Sequence, residues 1–330
     1  MTIDGSDMHG IRIAANGGPE VLEWVELDDP APGPADLVVE VAAAGLNFID
    51  TYQRSGLYPM PLPAMLGLEG AGVVVAVGPD AAGFAEGDRV AWSGVPGSYA
   101  ERVAVPAASA VPVPDGVDLE TAAAVMLQGM TAHFLACDTY PLQEGDRCLV
   151  QAGAGGVGLL LIQIAKLRGA EVFTTVGSED KVELATAAGA DHVILYREED
   201  FGDAVEAIAG RRPIDVVYDG VGQATFDRGL DLLRRRGVMV TFGNASGPVD
   251  PVLPLRLSQA GSLYLTRPTL GDYIATRKEL EGRARDLFSW IAAGRLDVRI
   301  GARVALRDAA EAHRMLEGRE TSGKVLLLPG

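Results

Sequence analysis

Residues 153–158 (GAGGVG) have the spacing of a phosphate-binding loop. They follow an apolar run that ends at Ala152, and they precede a helical pattern over residues 159–167. Glycines lack side chains, so the backbone can turn tightly and approach a pyrophosphate, whose charge meets the free amides at the positive end of the helix. Three glycines at this spacing are weak evidence by themselves, but between a strand and a helix they predict a dinucleotide-binding site.

The residue about 20 positions after such a loop normally selects the cofactor, because an acid there binds the ribose hydroxyls of NAD. In this chain Ser178 stands at that position and Lys181 follows it. A small hydroxyl and a nearby cation favour a 2′-phosphate, and hence NADPH. Glu179 and Asp180 weaken the argument, and the alternative is that Ser178 caps a helix while Lys181 is a solvated helix residue.

A second polar group, Asn47, Asp50, Tyr52 and Arg54, lies between apolar neighbours near the N-terminus. The Tyr52 hydroxyl and the Asn47 amide can donate hydrogen bonds to an oxygen on which negative charge develops. We expect Tyr52 to contact a reacting acceptor and Asn47 to orient acceptor or cofactor. We expect Arg54 to hold Asp50 in a structural ion pair.

Other catalytic chemistry has little support. The two cysteines, Cys137 and Cys148, have no metal-type spacing and are expected to be packed residues. The four histidines, His9, His133, His192 and His313, are dispersed. The sequence has no Gly-x-Ser-x-Gly elbow, so the usual hydrolase signature is missing.

Length and charge bound the class of protein. The chain has 330 residues and a net charge of −17, so we expect about two domains and a surface that repels nucleic acids and anionic membranes. No apolar stretch approaches the roughly 20 residues that span a bilayer. Residues 1–7 do not resemble a secretory signal, so a cytoplasmic location is expected.

The elements that must position these residues fall into two patterns. Residues 10–114 combine turn signals with short Val-rich runs, which predicts a β-rich domain. From about Asp118, helical segments at 119–127 and 130–139 lead into alternating strands and helices, which predict a doubly wound parallel sheet. Its strands are expected at residues 147–152, 171–176, 192–195, 214–218, 238–242 and 262–266.

Beyond the sheet, residues 273–293 form one amphipathic helical pattern. A strand-like tail at residues 324–328 is expected to rejoin the first domain. The predicted domains are therefore 1–128, 129–268 and 269–330, the last of which completes the first.

Several motifs together resemble the zinc-free quinone oxidoreductases, related to zeta-crystallin, of the medium-chain dehydrogenase/reductase superfamily. The resemblance covers nearly the whole chain and departs at residues 151–154 (QAGA), where many relatives have alanines. Its motifs are residues 45–52 (GLNFIDTY), 54–56 (RSG), 67–72 (GLEGAG), 87–90 (GDRV), 128–132 (QGMTA), 153–158, 216–222 (VVYDGVG) and 242–244 (FGN).

The resemblance implies an α/β protein with a GroES-like catalytic domain, a Rossmann NADPH-binding domain and a cleft between them. It implies a homodimer joined through the strand from Ser262 to Thr266. Zinc-dependent relatives place a Cys and a His where this chain has Asn47 and Leu68, so no catalytic zinc is expected. The implied catalytic residues are Asn47 and Tyr52; the implied cofactor-binding residues are Gln128, Thr131, Gly155, Gly156, Val157, Gly177, Ser178, Lys181, Tyr196, Val221, Phe242, Asn244 and Lys324.

The predicted activity is hydride transfer from NADPH to a quinone or a similar electron-poor acceptor. An enoyl or alkenal reductase uses the same scaffold and is the first alternative. A nucleotide-binding structural or sensor protein without turnover is the second.

Overall fold

The computed structural model describes residues 8–330, so the expectation for residues 1–7 lies outside the described part of the chain. The chain divides into two units, which are described separately. One contains the residues up to Met130 together with Ile274–Gly330, and the other is Thr131–Tyr273. The boundaries predicted from the sequence are 128 and 268. Among the described helices, none is long and apolar enough to cross a membrane.

The strands, in chain order, are β1 (Met8–Ile13), β2 (Glu23–Leu27), β3 (Asp36–Leu46), β4 (Ala64–Met65), β5 (Glu69–Val77), β6 (Arg89–Ser93), β7 (Arg102–Pro106), β8 (Ala110–Pro112), β9 (Arg147–Val150), β10 (Glu171–Val176), β11 (His192–Leu195), β12 (Ile214–Asp219), β13 (Leu233–Thr241), β14 (Tyr264–Thr266), β15 (Ile300–Ala305) and β16 (Lys324–Leu328). The helices are α1 (Phe48–Ser55), α2 (Leu119–Phe134), α3 (Gly156–Leu167), α4 (Glu179–Ala187), α5 (Phe201–Ala209), α6 (Phe226–Leu232), α7 (Pro254–Gln259), α8 (Leu270–Tyr273), α9 (Arg277–Ala292) and α10 (Ala309–Glu317).

The first unit is built on a seven-stranded sheet in the order β15-β16-β3-β5-β6-β8, with β7 also paired to β3. A smaller sheet has the order β2-β1-β4. The tail strand β16 pairs antiparallel with β3, so the C-terminal residues complete this unit as expected. Its core is formed by aliphatic side chains around the fully buried Trp92 and Tyr99.

The second unit contains a six-stranded sheet in the order β11-β10-β9-β12-β13-β14. Every neighbouring pair in it is parallel, which confirms the doubly wound prediction. Parallel strands end at the same edge of a sheet, and ligands of such folds bind outside their carboxyl ends. A ligand of this unit is therefore expected at the loops after β9, β10, β12 and β13.

Two predicted helix boundaries are wrong. The segments 119–127 and 130–139 form the single helix α2, which continues into a π-helical turn at Leu135–Thr139. Gly129 does not break α2, since a Cβ there would lie 2.5 Å from Val125, and the residue serves close packing. The pattern over 273–293 is split into α8 and α9, because Thr276 and Glu279 form a capping box that starts a new helix.

Candidate functional site

Asn47 stands where β3 ends and α1 begins, so sheet and helix both fix its position. Its backbone N–H donates to Asp50 Oδ2 at 2.8 Å, which is one arm of a capping box at the first turn of α1. Tyr52 lies on the same helix, two residues after Asp50. The local sequence thus places the predicted polar group on one helix start.

The Asn47 side chain is saturated by protein partners. Its Nδ2 donates to Glu69 Oε1 at 2.6 Å and to the Gly45 carbonyl at 3.3 Å. Its Oδ1 accepts from Gln128 Nε2 and from Lys324 Nζ, each at 3.1 Å. An amide has two hydrogens and two acceptor positions, so a contact from Asn47 to a ligand requires exchange of one of these bonds.

Lys324 and Glu69 form a buried ion pair beside Asn47. Lys324 Nζ donates to Glu69 Oε1, and the Leu127 backbone N–H donates to the other carboxylate oxygen at 2.7 Å. Burial lowers the pKa of Lys324 to about 7, and the negative charge of Asp50 opposes that shift. The resemblance implies that Lys324 lies along the cofactor; the structure places its ammonium group inside this cluster.

The expected ion pair between Arg54 and Asp50 is wrong. Arg54 donates to His313 Nδ1 at 2.9 Å and to Glu317 Oε1 at 2.7 Å. Asp50 Oδ2 instead accepts from the Tyr99 hydroxyl at 2.8 Å, and Asp50 Oδ1 is buried without a protein partner. Burial raises the pKa of Asp50 to about 6, although the hydrogen bond from Tyr99 lowers it.

Tyr52 lies in an aromatic group on α1 and the loop that follows. Its ring is 6.3 Å from that of Phe48 and 5.2 Å from that of Tyr58, with an edge-on arrangement in the second pair. Tyr52 is 9% exposed. These ring contacts restrict the Tyr52 side chain.

The glycine loop connects β9 to α3, as predicted, although the helix starts at Gly156 rather than Leu159. A Cβ on Gly153 would lie 2.0 Å from Thr174 Oγ1, so the strand β10 requires glycine there. Gly155 caps the helix without a side chain, and Gly156 and Val157 begin its first turn. The first amides of a helix have no intrahelical partner, so these residues fit a pyrophosphate.

The carboxyl ends of β10 and β11 bring together the residues predicted to select the cofactor. A Cβ on Gly177 would lie 2.7 Å from the Tyr196 hydroxyl, so the two residues are adjacent. Ser178 is the N-cap residue of α4, and its hydrogen bond lowers the pKa of Asp180. Lys181 lies in the first turn of that helix. The position of Ser178 at the helix start agrees with both interpretations given above, a site for a phosphorylated ribose and a helix cap.

The next two strand ends carry Val221, Phe242 and Asn244. Asp219, at the end of β12, accepts from the Val221 N–H at 2.8 Å, and its carbonyl accepts from the Phe242 N–H at the same distance. Burial raises the pKa of Asp219. A Cβ on Gly243 would lie 2.2 Å from the Gly220 carbonyl, so the two loops are in close contact.

Gln128 and Thr131 both lie on α2. Gln128 belongs to the first unit and Thr131, 8% exposed, to the second. Five residues that shape these sites were not predicted from the sequence: Glu69, Tyr99, His313, Glu317 and Asp219. The motifs contain Glu69 and Asp219 as a possible signal, whereas nothing local marks the other three.

Comparison with known proteins places both units in described families. Residues 33–115 match the family model described as "Alcohol dehydrogenase GroES-like domain", and residues 156–289 match the one described as "Zinc-binding dehydrogenase".

Asn47 has its amide fully engaged and Leu68 has no ligand atom, so the residues present do not fit a catalytic zinc. Within residues 8–330, no group of three or more His, Cys, Asp or Glu could hold a metal ion.

Full-length relatives are similar throughout. A quinone oxidoreductase of Pseudomonas aeruginosa is 47% identical over 97% of this chain and 99% of its own. The crystal structure of Escherichia coli quinone oxidoreductase complexed with NADPH has 45% identity and a TM-score of 0.95, over 97% of this chain and 100% of that one. A 2-haloacrylate reductase of Burkholderia is 39% identical over 96% of this chain and 98% of its own.

Proposed function

This chain belongs to the quinone oxidoreductases of the medium-chain dehydrogenase/reductase superfamily, and we propose that it transfers a hydride from NADPH to a quinone. The observation that carries the proposal is similarity over nearly the full chain to enzymes of that name, one of them solved with NADPH. The glycine loop and the cation near the end of β10 support the same cofactor.

NADPH, when bound, supplies the hydride, and the residues of this chain bind and orient it. In this proposal the amides of Gly155, Gly156 and Val157 hold the pyrophosphate. The 2′-phosphate is held near Lys181, whose ammonium group forms a charge-assisted contact. The remaining cofactor contacts of the proposal are Gly177, Ser178, Tyr196, Val221, Phe242 and Asn244.

At the acceptor, the proposal assigns Tyr52 to donate a hydrogen bond to the reacting oxygen. Hydride transfer to a quinone leaves negative charge on that oxygen, and donors fixed in advance stabilise it. Asn47 orients cofactor or acceptor from its position at the start of α1. Thr131 completes the cofactor-binding residues of the proposal. Gln128 and Lys324, also predicted to bind the cofactor, are assigned to position Asn47 through their hydrogen bonds to its Oδ1.

The test is a turnover screen of quinones and α,β-unsaturated carbonyls, each with NADPH and with NADH. The expected result is a fall in NADPH absorbance when a simple quinone is added, with hydroquinone as the product. Tight NADPH binding without consumption by any acceptor would overturn the proposal and favour a nucleotide-binding protein without turnover.

An activated-alkene reductase is the second candidate, and the similarity to a 2-haloacrylate reductase favours it. The two activities share cofactor and scaffold but differ in the bond that is reduced. Analysis of the products separates them, because an alkene reductase saturates a C=C bond while a quinone reductase yields a hydroquinone.

The proposal includes a homodimer joined through β14. This strand is an edge of the six-stranded sheet, and its Tyr264 is 62% exposed. Leu253 and Leu255 nearby in sequence are 75% and 65% exposed. An edge strand with apolar neighbours is stabilised when it pairs with a second copy under two-fold symmetry. We also place the reaction in the cytoplasm, where NADPH is available.

A further inference from the structure

We propose that His313, Tyr99 and Asp50 are positioning residues, which link helix α10 to Asn47 by a buried chain of hydrogen bonds and hold the start of α1 while Asp50 is ionised. The inference rests on the proposed function, since Asn47 and Tyr52 are its acceptor-site residues. It adds Tyr99 and His313, which lie outside the recognised motifs, and gives Asp50 a role other than the ion pair expected from the sequence.

The direction of each hydrogen bond in the chain follows from donor chemistry. A guanidinium group can only donate, so Arg54 Nη1 donates to His313 Nδ1 across 2.9 Å. Neutral His313 then carries its proton on Nε2, which lies 3.4 Å from the Tyr99 hydroxyl oxygen. The Tyr99 O–H donates to Asp50 Oδ2 at 2.8 Å. All donors therefore point towards Asp50.

Asp50 transmits this arrangement to Asn47. The same Oδ2 that accepts from Tyr99 also accepts from the Asn47 N–H at 2.8 Å. Hydrogen bonds to an ionised carboxylate are roughly twice as strong as those to a neutral group. A proton added at Oδ1, which has no protein partner, would weaken both bonds and loosen the first turn of α1.

Among Asp50 and the charged and titratable groups around it, Asp50 and Lys324 can change charge near neutral pH. Tyr99 has its pKa raised well above the usual range by burial, and His313 has its pKa lowered to about 3 by burial and by Arg54. Lys324 on β16 faces Asp50 electrostatically, and burial lowers its pKa to about 7. Asp50 itself has a pKa of about 6 because it is buried. Lys324 is not a member of the hydrogen-bonded chain, so Asp50 is the member whose charge acidification changes.

The chain orients groups and does not conduct protons. Its outer member, Arg54, is a guanidinium group, which donates hydrogen bonds and accepts none. Arg54 is held in turn by Glu317 on α10, whose carboxylate is 38% exposed. A proton from solvent therefore cannot pass along this chain to the acceptor, and a change in its members should alter pH dependence and geometry rather than remove a proton source.

The first experiment measures kcat against pH for the NADPH-loaded enzyme. Wild type should lose activity below about pH 6 as Asp50 is protonated. Tyr99→Phe removes a charge-assisted hydrogen bond, so its acidic limb should move up by about one pH unit. Asp50→Asn should lack that limb. The control is Glu311→Gln, which changes an exposed residue of α10 outside the chain of hydrogen bonds. Its pH profile of kcat should match that of wild type.

The second experiment needs neither quinone nor cofactor. The sequence has four histidines, so nitrogen NMR of the imidazole groups can be assigned with a His313→Gln variant. His313 should show the Nε2–H tautomer and no titration from about pH 5 to about pH 8. His9, with a 41% exposed side chain, gives the solvent-exposed reference signal in the same spectra.

The outcomes separate this inference from the proposed function. Three results would overturn the inferred chain of hydrogen bonds, even if quinones are reduced. They are an Nδ1–H tautomer of His313, titration of His313 near neutral pH, and an acidic limb that does not move in folded Tyr99→Phe. Absence of quinone turnover would overturn the proposed function and leave the NMR test intact. If Asp50→Asn does not fold, Tyr99→Phe and the NMR measurement still decide.

Discussion

Lys324 on β16 and Glu69 on β5 form an ion pair although 255 residues separate them in the sequence. Both are shielded from solvent, with exposures of 1% and 0%. Both also hydrogen-bond the side chain of Asn47. The last strand of the chain thus fixes the orientation of an amide near its beginning.

Removal of one member of this pair should destabilise the fold. Lys324→Met leaves a buried carboxylate without its counter-ion, and the expected loss in unfolding free energy is about 3–5 kcal/mol. Glu69→Gln in the same background should cost much less than it does alone, because no charge is then left uncompensated. Urea unfolding of the four proteins measures this coupling. Additive losses would show that the two groups do not interact.

Lys181→Ala should reduce the preference for NADPH over NADH. A charge-assisted contact to the 2′-phosphate contributes roughly 1.5–3 kcal/mol, which corresponds to about ten-fold or more in kcat/KM with NADPH. The NADH value should stay nearly constant. Lys278→Ala, on α9 in the other unit, is the control. Equal efficiency of wild type with both cofactors would contradict the assignment of Ser178 and Lys181.

Tyr52→Phe should lower turnover and leave NADPH affinity nearly unchanged. The variant keeps the ring contacts with Phe48 and Tyr58 but loses the hydroxyl donor. The loss should be smaller than the roughly 100- to 10,000-fold typical of general acid–base catalysis, because a quinone already reacts readily with hydride. Steady-state kinetics and cofactor titration separate the two effects.

Asn47→Ala is the companion variant to Tyr52→Phe, and it should harm both turnover and NADPH affinity. If Tyr52→Phe turned over at an unchanged rate across pH, Tyr52 would line the acceptor site without donating a hydrogen bond to the acceptor.

The purified protein should contain no stoichiometric zinc. The two positions that supply ligands in zinc-dependent relatives are Asn47 and Leu68, and neither side chain is a usual zinc ligand. Elemental analysis should find well below one metal ion per chain, and incubation with a chelator should leave the rate of NADPH oxidation unchanged. One zinc per chain, or loss of activity on chelation, would defeat the expectation.

Light scattering should give the mass of a dimer at micromolar protein. Tyr264→Glu adds a charge to the exposed edge strand β14 and should shift the protein towards the monomer. Ile208→Glu is a matched control, since Ile208 is also exposed, at 51%, but lies on α5. A monomer mass for wild type would refute the proposed interface.

Sequence patterns predicted the second unit well, because its signals are local. Strands β10 and β11 begin and end as expected, and the loop at 153–158 connects a strand to a helix. Alternation of apolar strands with helices leaves few topologies other than a parallel sheet. Helix ends were predicted less accurately, since Gly129 can interrupt a helix or pack inside one, and only its neighbours Val125 and Leu287 distinguish these cases.

The sequence by itself determined which polar residues stand at the start of α1 and which glycines form the loop before α3. Tertiary structure decided their partners. Arg54 lies one helical turn from Asp50, yet it turns to His313 and Glu317, while Asp50 meets Tyr99. Hydrogen bonding and desolvation of a buried group depend on strands and helices that arrive from distant parts of the chain, and spacing along the sequence does not contain that information.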